Sequence, residues 1–195
     1  MHNKLNDFVD DIDKLLRRAG ISHQVHEPCI PPSTSKHLLQ CTKSTYLSTE
    51  GAFLDRFESE LQKLTGSSKI ILTNSGTSAL QVALNITDIN GKEVLVPSMT
   101  FVASTNAIIY NNGVPHFIDC QKNKISIDHD ALDIYLDTIT YIKNDKCFNI
   151  KTGREIAAIV IVHGYGYPAN LDSIKKLSSK YRLQIIEDAA ACLGS

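Results

Sequence analysis

Apolar residues fall at Leu5, Phe8, Val9, Ile12, Leu15, Leu16 and Ala19, the three-and-four spacing of one helical stripe, and Gly20 supplies a stop. Pro28, Pro31 and Pro32, set among Ser and Thr, predict an extended linker over 27–35. A second amphipathic stripe predicts a helix over 52–64, closed by Gly66. From Lys69 the pattern changes to short apolar runs alternating with helical periods. Strands are predicted at 70–72, 93–96, 116–118, 157–162 and 183–186, and helices at 78–86, 102–110, 130–136 and 171–181. Strands alternating with helices imply an α/β fold, a mainly parallel sheet with helices on both faces. Residues 121–156 are the least regular, and 143–154 reads as a surface excursion with a turn at Thr152-Gly153.

Composition narrows the classes. A net charge of −1 gives no electrostatic pull toward nucleic acid or an anionic membrane. The pairs Arg17-Arg18 and Lys175-Lys176 read as solvated helix faces. Cys29, Cys41, Cys120, Cys147 and Cys192 are odd in number, scattered and without C-x-x-C spacing, which argues against a disulfide framework and against a metal site. Reduced thiols in the cytoplasm are the expectation. The N-terminus, with Asp7, Asp10, Asp11 and Asp13, lacks the basic start and apolar core of a signal peptide. No apolar run is long enough to span a bilayer.

Four segments carry candidate chemistry. In Thr73-Asn74-Ser75-Gly76-Thr77-Ser78 a strand end, a small-residue turn and a helix start follow one another, a pattern that fits an anion site on free backbone N–H groups or an ordinary N-cap. It is neither a Walker A loop nor a G-x-G-x-x-G fingerprint, which disfavours nucleoside triphosphates and NAD. The loop Val96-Pro97-Ser98-Met99-Thr100-Phe101 offers an aromatic ring at the start of the next helix, either a stacking surface or a core residue. His163-Gly164-Tyr165-Gly166-Tyr167-Pro168 follows the 157–162 strand; His163 either touches a ligand or supports this loop, and Asn170 is placed to cap the next helix. Glu187-Asp188 ends the last strand at the carboxyl edge of the sheet, where α/β proteins bind ligands. Strand alternation turns Glu187 away from the side that Asp188 faces.

In that order, "NSGTSAL", "VPSMTFVASTNA", "VHGYGYPANLD" and "EDAAACLG" resemble the motifs of the DegT/DnrJ/EryC1/StrS family of sugar aminotransferases that use pyridoxal 5'-phosphate (PLP). The likeness covers about Pro28 to Ser195 and includes Tyr46-Leu47-Ser48-Thr49-Glu50-Gly51 with Phe57-Glu58. It implies the large domain of the type I PLP-dependent aminotransferase fold, truncated before the small domain, with an N-terminal helical segment over 1–27 and an incomplete PLP-binding domain over 28–195. It implies that Gly76 and Thr77, with Ser75 beside them, hold the cofactor phosphate, that Phe101 stacks on its ring, and that Asp188 pairs with the pyridine nitrogen. His163 is a further candidate contact. At Ala191 the family usually carries Gln, His or Glu, so alanine removes a polar partner for the cofactor's phenolic oxygen. Asn149–Arg154 resembles a loop of the legionaminic-acid-type sub-branch.

The resemblance implies transfer of an amino group, from glutamate, to a nucleotide-linked keto-sugar in surface polysaccharide biosynthesis, by a homodimer when full length. The family's Schiff-base lysine is expected beyond Ser195, and Lys175, Lys176 and Lys180 fall on a predicted helix face, so the 195 residues alone are expected to be inactive. Two other readings stay open: an inactive remnant or binding subunit of that family, and a doubly wound nucleotide-binding domain unrelated to PLP.

Overall fold

A computed structural model of the chain describes residues 2–20 and 28–195. The chain divides at Phe57/Glu58 into two compact units. In the first, α1 (His2–Arg18) follows the predicted stripe. Residue 27 of the predicted linker lies outside the described residues, and the rest of it is shorter than expected, because α2 (Ser33–Ser44) begins at Ser33. Pro32 stands at the N-cap position, where a proline costs no helical hydrogen bond, so the proline cluster starts a helix rather than spacing one. The helix turns out at Thr45, in the left-handed region at φ +63. It buries no residue, which is why its apolar signal is weak. A cleft of about 410 Å³ lies between Cys41 and Leu54, with Tyr46, Leu47 and Phe53 in its lining. The helix α3 (Ala52–Thr65) follows, as predicted.

The second unit is built on a six-stranded sheet. The strands are β1 (Glu93–Pro97), β2 (Val114–Ile118), β3 (Thr140–Lys143), β4 (Lys146–Asn149), β5 (Glu155–Val162) and β6 (Gln184–Asp188). β5 is central, parallel to β1 on one side and to β6 on the other. β2 runs parallel outside β1. β3 and β4 form an antiparallel hairpin that joins the first residues of β5. This hairpin stands where a surface excursion was expected. Its two-residue turn, Asn144-Asp145, has φ of +50 and +59, the conformation that matches strand twist and that Asn and Asp tolerate. The predicted turn at Thr152-Gly153 is present, with Gly153 at φ +68.

The predicted strand at 70–72 is not one. Ile70-Ile71-Leu72 pairs with no strand among the described residues, and Ile71 stays 73% exposed, so the apolar run lacks the ladder that defines a strand.

The helices α4 (Gly76–Ile86) and α5 (Val102–Tyr110) cover one face of the sheet, and α6 (His129–Ile139) and α7 (Leu171–Tyr181) the other. Leu80, Leu84, Ala107 and Ile108 pack on Val94, Val96, Ala158, Val160 and Ile186. Leu132, Leu136, Ile174 and Leu177 pack on Leu95, Ile156, Ile159 and Ile161. The alternation breaks once, where Val94 pairs Ala158 although Glu93 pairs Ile156; Ala157 is the extra residue of a β-bulge, and both alanines face α4 and α5. Two faces filled in this way need near-continuous apolar strands, as the sequence of β1 and β5 has.

One charged group sits in this core. Glu93 opens β1 and is only 2% exposed. Its carboxylate accepts from Thr152 Oγ1 at 2.5 Å and Asn149 Nδ2 at 2.9 Å, and lies 2.7 Å from His116 Nδ1. His116 Nε2 in turn meets the Tyr135 hydroxyl of α6 at 3.0 Å. The cluster lies at the amino ends of the parallel strands, away from their carboxyl edge, and ties the 149–154 turn to the sheet.

Candidate functional site

The carboxyl ends of β1, β5 and β6 deliver the Phe101 loop, His163 and Asp188 to one edge of the sheet, the expected place for a ligand. Asp188 is the last residue of β6, half-buried, on the face covered by α4 and α5. Its Oδ2 accepts a hydrogen bond of 2.7 Å from Ser104 Oγ of α5, and its Oδ1 accepts from the Ala190 N–H at 3.3 Å. Glu187 faces the opposite side, as alternation requires, with Oε2 3.2 Å from His163 Nε2.

His163 follows β5 and is 5% exposed. Its Nδ1 accepts the N–H of Ala169 at 3.0 Å, which puts the ring proton on Nε2, where it meets Glu187. Both ring nitrogens are therefore taken up in tying the 163–169 loop to β6. Gly164 lets the loop pack closely here, because a Cβ would stand 2.7 Å from Ile125 Cγ2 and force that side chain to shift. Tyr165 is 69% exposed and held at φ +54, an uncommon conformation for a bulky residue. The sequence reading assigned it no role.

The turn before α4 is built to leave donors over. Ser75 is the N-cap; its Oγ accepts the Ser78 N–H at 3.2 Å, and its carbonyl accepts the Ala79 N–H at 3.0 Å. Thr73 Oγ1 donates to the Ser75 carbonyl, and Ser78 Oγ to Asn74 Oδ1, which fixes the turn from both sides. Of the first-turn amides, those of Gly76 and Thr77 make no hydrogen bond to any described residue. Helix geometry leaves them unpaired and the helix dipole favours an anion there. Ser75 is thus the N-cap, and the Gly76 and Thr77 amides stay available beside it. A Cβ on Gly76 would meet nothing within 4 Å. Gly76→Ala is therefore expected to leave the melting temperature within about 2 °C while lowering affinity for a phosphate-bearing ligand about threefold or more, as read by thermal melts and a PLP titration.

Phe101 is the N-cap residue of α5 and is 76% exposed, so it is no core residue. Its position comes from the loop behind it: Pro97 ends β1, Ser98 N–H bonds the Ile118 carbonyl, and Thr100 Oγ1 lies 2.8 Å from Ser104 Oγ. Ala191 is exposed, and its carbonyl oxygen lies 3.2 Å from where a Cβ on Gly166 would stand. The lysines of α7 are solvated, as expected: Lys175 and Lys176 are exposed, and Lys180 pairs with Asp133 at 2.7 Å. That ion pair and the Tyr181 hydroxyl hold the Asp133 carboxyl below its usual range. Among the described residues no His, Cys, Asp and Glu cluster could hold a metal ion, and no helix is long and apolar enough to cross a membrane.

The residues present fit a flat, anionic, nitrogen-bearing cofactor. Two helix-start amides are unpaired, an exposed ring has room for stacking, and a carboxylate has one oxygen only weakly engaged. Sequence reasoning missed Ser104 and Thr100. Their signal was two hydroxyls four residues apart, one on the buried face of α5, but their partner lies 84 positions on.

The DegT/DnrJ/EryC1/StrS aminotransferase family matches residues 28–195. GDP-perosamine synthase of Escherichia coli O157:H7 is 29% identical over 172 residues, covering 88% of this chain and 43% of that protein. The dTDP-4-amino-4,6-dideoxy-D-glucose transaminase of Escherichia coli is 31% identical over 172 residues, 87% of this chain and 42% of that one. The crystal structure of NtdA from Bacillus subtilis with bound cofactor PMP aligns with a TM-score of 0.68 at 27% identity, over 85% of this chain and 35% of the other. The chain thus spans about two fifths of the length of the curated relatives it matches.

Proposed function

The chain belongs to the DegT/DnrJ/EryC1/StrS aminotransferase family, whose cofactor is PLP, and on that premise we propose that it is the cofactor-holding part of a sugar aminotransferase. The substrate is a nucleotide-linked keto-sugar, in line with the relatives that act on GDP- and dTDP-linked sugars. The amino donor is an amino acid, glutamate first among candidates, and the product enters surface polysaccharide biosynthesis. The setting is cytoplasmic and the working form a homodimer.

The observation that carries the proposal is Asp188, fixed by Ser104 at the carboxyl edge of the sheet. Gly76 and Thr77 would bind the phosphate through their N–H groups and the Thr77 hydroxyl. Phe101 would cover one face of the ring and exclude water from it. Asp188 Oδ1 would hold the proton on the pyridine nitrogen, because a carboxylate beside that nitrogen favours its charged form. When bound, the cofactor supplies an electron sink for the carbon that gains or loses the amino group. Ala191 offers no side-chain donor to the phenolic oxygen. We assign the cofactor-bearing lysine to none of the lysines of residues 1–195.

Two outcomes follow. The chain should retain PMP through gel filtration and ignore NAD; retention of NAD alone would favour a nucleotide-binding domain instead. With PLP, glutamate and a GDP- or dTDP-linked keto-sugar, the 195 residues by themselves should give no amino-sugar by mass spectrometry. Turnover would show that a lysine within them carries the cofactor.

A further inference from the structure

Ser104 is fully buried, yet it is a hydroxyl on the face of α5 that also buries Ala107 and Ile108. Its Oγ lies 2.7 Å from Asp188 Oδ2 and 2.8 Å from Thr100 Oγ1. The direction of both bonds follows from the chemistry of the groups. An ionised carboxylate can only accept, so the single Ser104 proton points at Asp188. Ser104 Oγ must then accept from Thr100, whose proton has one other acceptor, the Phe101 carbonyl at a longer 3.3 Å. The hydroxyls thus run one way, from Thr100 to Ser104 to Asp188. At the far end, Oδ2 is occupied, and Oδ1 carries only the long bond from Ala190.

We propose that Ser104, backed by Thr100, is a positioning residue that locks the Asp188 carboxylate so that Oδ1 alone meets the cofactor's pyridine nitrogen. This deepens the cofactor reading above and rests on it. Thr100 and Ser104 flank Phe101 on one short segment, so that segment fixes both the stacking ring and the carboxylate rotamer. A carboxylate freed of Ser104 could rotate, and it would share its charge less directionally with the nitrogen; partners behind a ligating group commonly tune it in this way.

The test uses the chain itself and PMP labelled with ¹⁵N in the pyridine ring, because the nitrogen resonance reports its protonation directly. Ser104→Ala should move that resonance toward the unprotonated position and weaken PMP about three- to tenfold, less than the loss of a direct bond to a charged group because Ser104 acts through Asp188. Ser104→Thr, which keeps the hydroxyl, should restore both. Thr100→Val should shift the resonance the same way by less, and it serves independently should the added methyl of Ser104→Thr not fit the buried site. A merely structural serine would change melting temperature without moving the resonance. If Ser104→Ala and Thr100→Val leave the resonance at its wild-type position while Asp188→Ala moves it, the relay is wrong and the cofactor reading stands. If Asp188→Ala also leaves it unmoved, or PMP does not bind the wild-type chain, the cofactor reading fails and the relay with it.

Discussion

Replacing Asp188 by alanine is expected to lower affinity for PMP about 10- to 100-fold, the loss of a charge-assisted hydrogen bond of about 1.5–3 kcal/mol. The size follows from the place of the group. Asp188 is half-buried at the end of β6, so its field is less screened than that of a surface carboxylate. One of its oxygens is pinned by Ser104. The substitution also leaves the fully buried Ser104 hydroxyl without its acceptor, which costs about 1–2 kcal/mol of fold stability. Affinity is therefore read by fluorescence titration well below the melting temperature of the variant. Unchanged affinity in a folded Asp188→Ala chain would remove the carboxylate from the site.

Glu93→Ala is expected to be the most damaging single change to the fold, with a loss of about 3–5 kcal/mol, because it strands buried partners of a charged group. Burial alone would push the Glu93 carboxyl up, but hydrogen bonds from Thr152 and Asn149, and then His116, outweigh it and hold the carboxyl below its ordinary value of 4.5. The sign of the pH dependence follows. A carboxyl with a folded value below its unfolded one stabilises the protein fully above the unfolded value, and the contribution fades as pH falls through the folded value. Urea midpoints measured from pH 7 downward should therefore fall below about pH 4.5 more steeply in the wild type than in Glu93→Ala. At neutral pH the variant should already be strongly destabilised, with the 149–154 turn the first segment to lose amide protection. Equal midpoints for the two chains would mean that the Glu93 cluster adds no net stability.

The elements that the sequence announced are those whose signal is local. The helix α7 is flanked by Asn170, whose side chain accepts the Ser173 N–H, and it carries buried Ile174, Leu177 and Tyr181 at helical spacing. β1 and β5 are legible because both faces are covered and, past Glu93 and Glu155, their residues form unbroken apolar runs. Asp188 was legible for the same reason, as the polar end of an apolar strand. What failed depended on partners far along the chain. Ile70-Ile71-Leu72 looks like a buried strand, but pairing decides a strand and composition does not. The β3–β4 hairpin reads as polar because its residues alternate against an edge, and its best sign was the Asn-Asp pair at the turn. The β5 bulge at Ala157 left no mark, since two alanines facing one side look like any small apolar run. In the candidate site, Gly76, Phe101 and Asp188 could be singled out one by one. The Ser104–Asp188 bond and the closed His163–Ala169–Glu187 set needed the fold to bring them together.

The cradle proposed for PLP is made of the turn before α4, Phe101 and Asp188. A crystal structure of the chain soaked with PMP measures this directly. Phosphate density is expected at the Gly76 and Thr77 amides, the ring beneath Phe101, and the pyridine nitrogen within hydrogen-bond distance of Asp188 Oδ1. Density elsewhere, with the Gly76 and Thr77 amides facing only solvent, would contradict it.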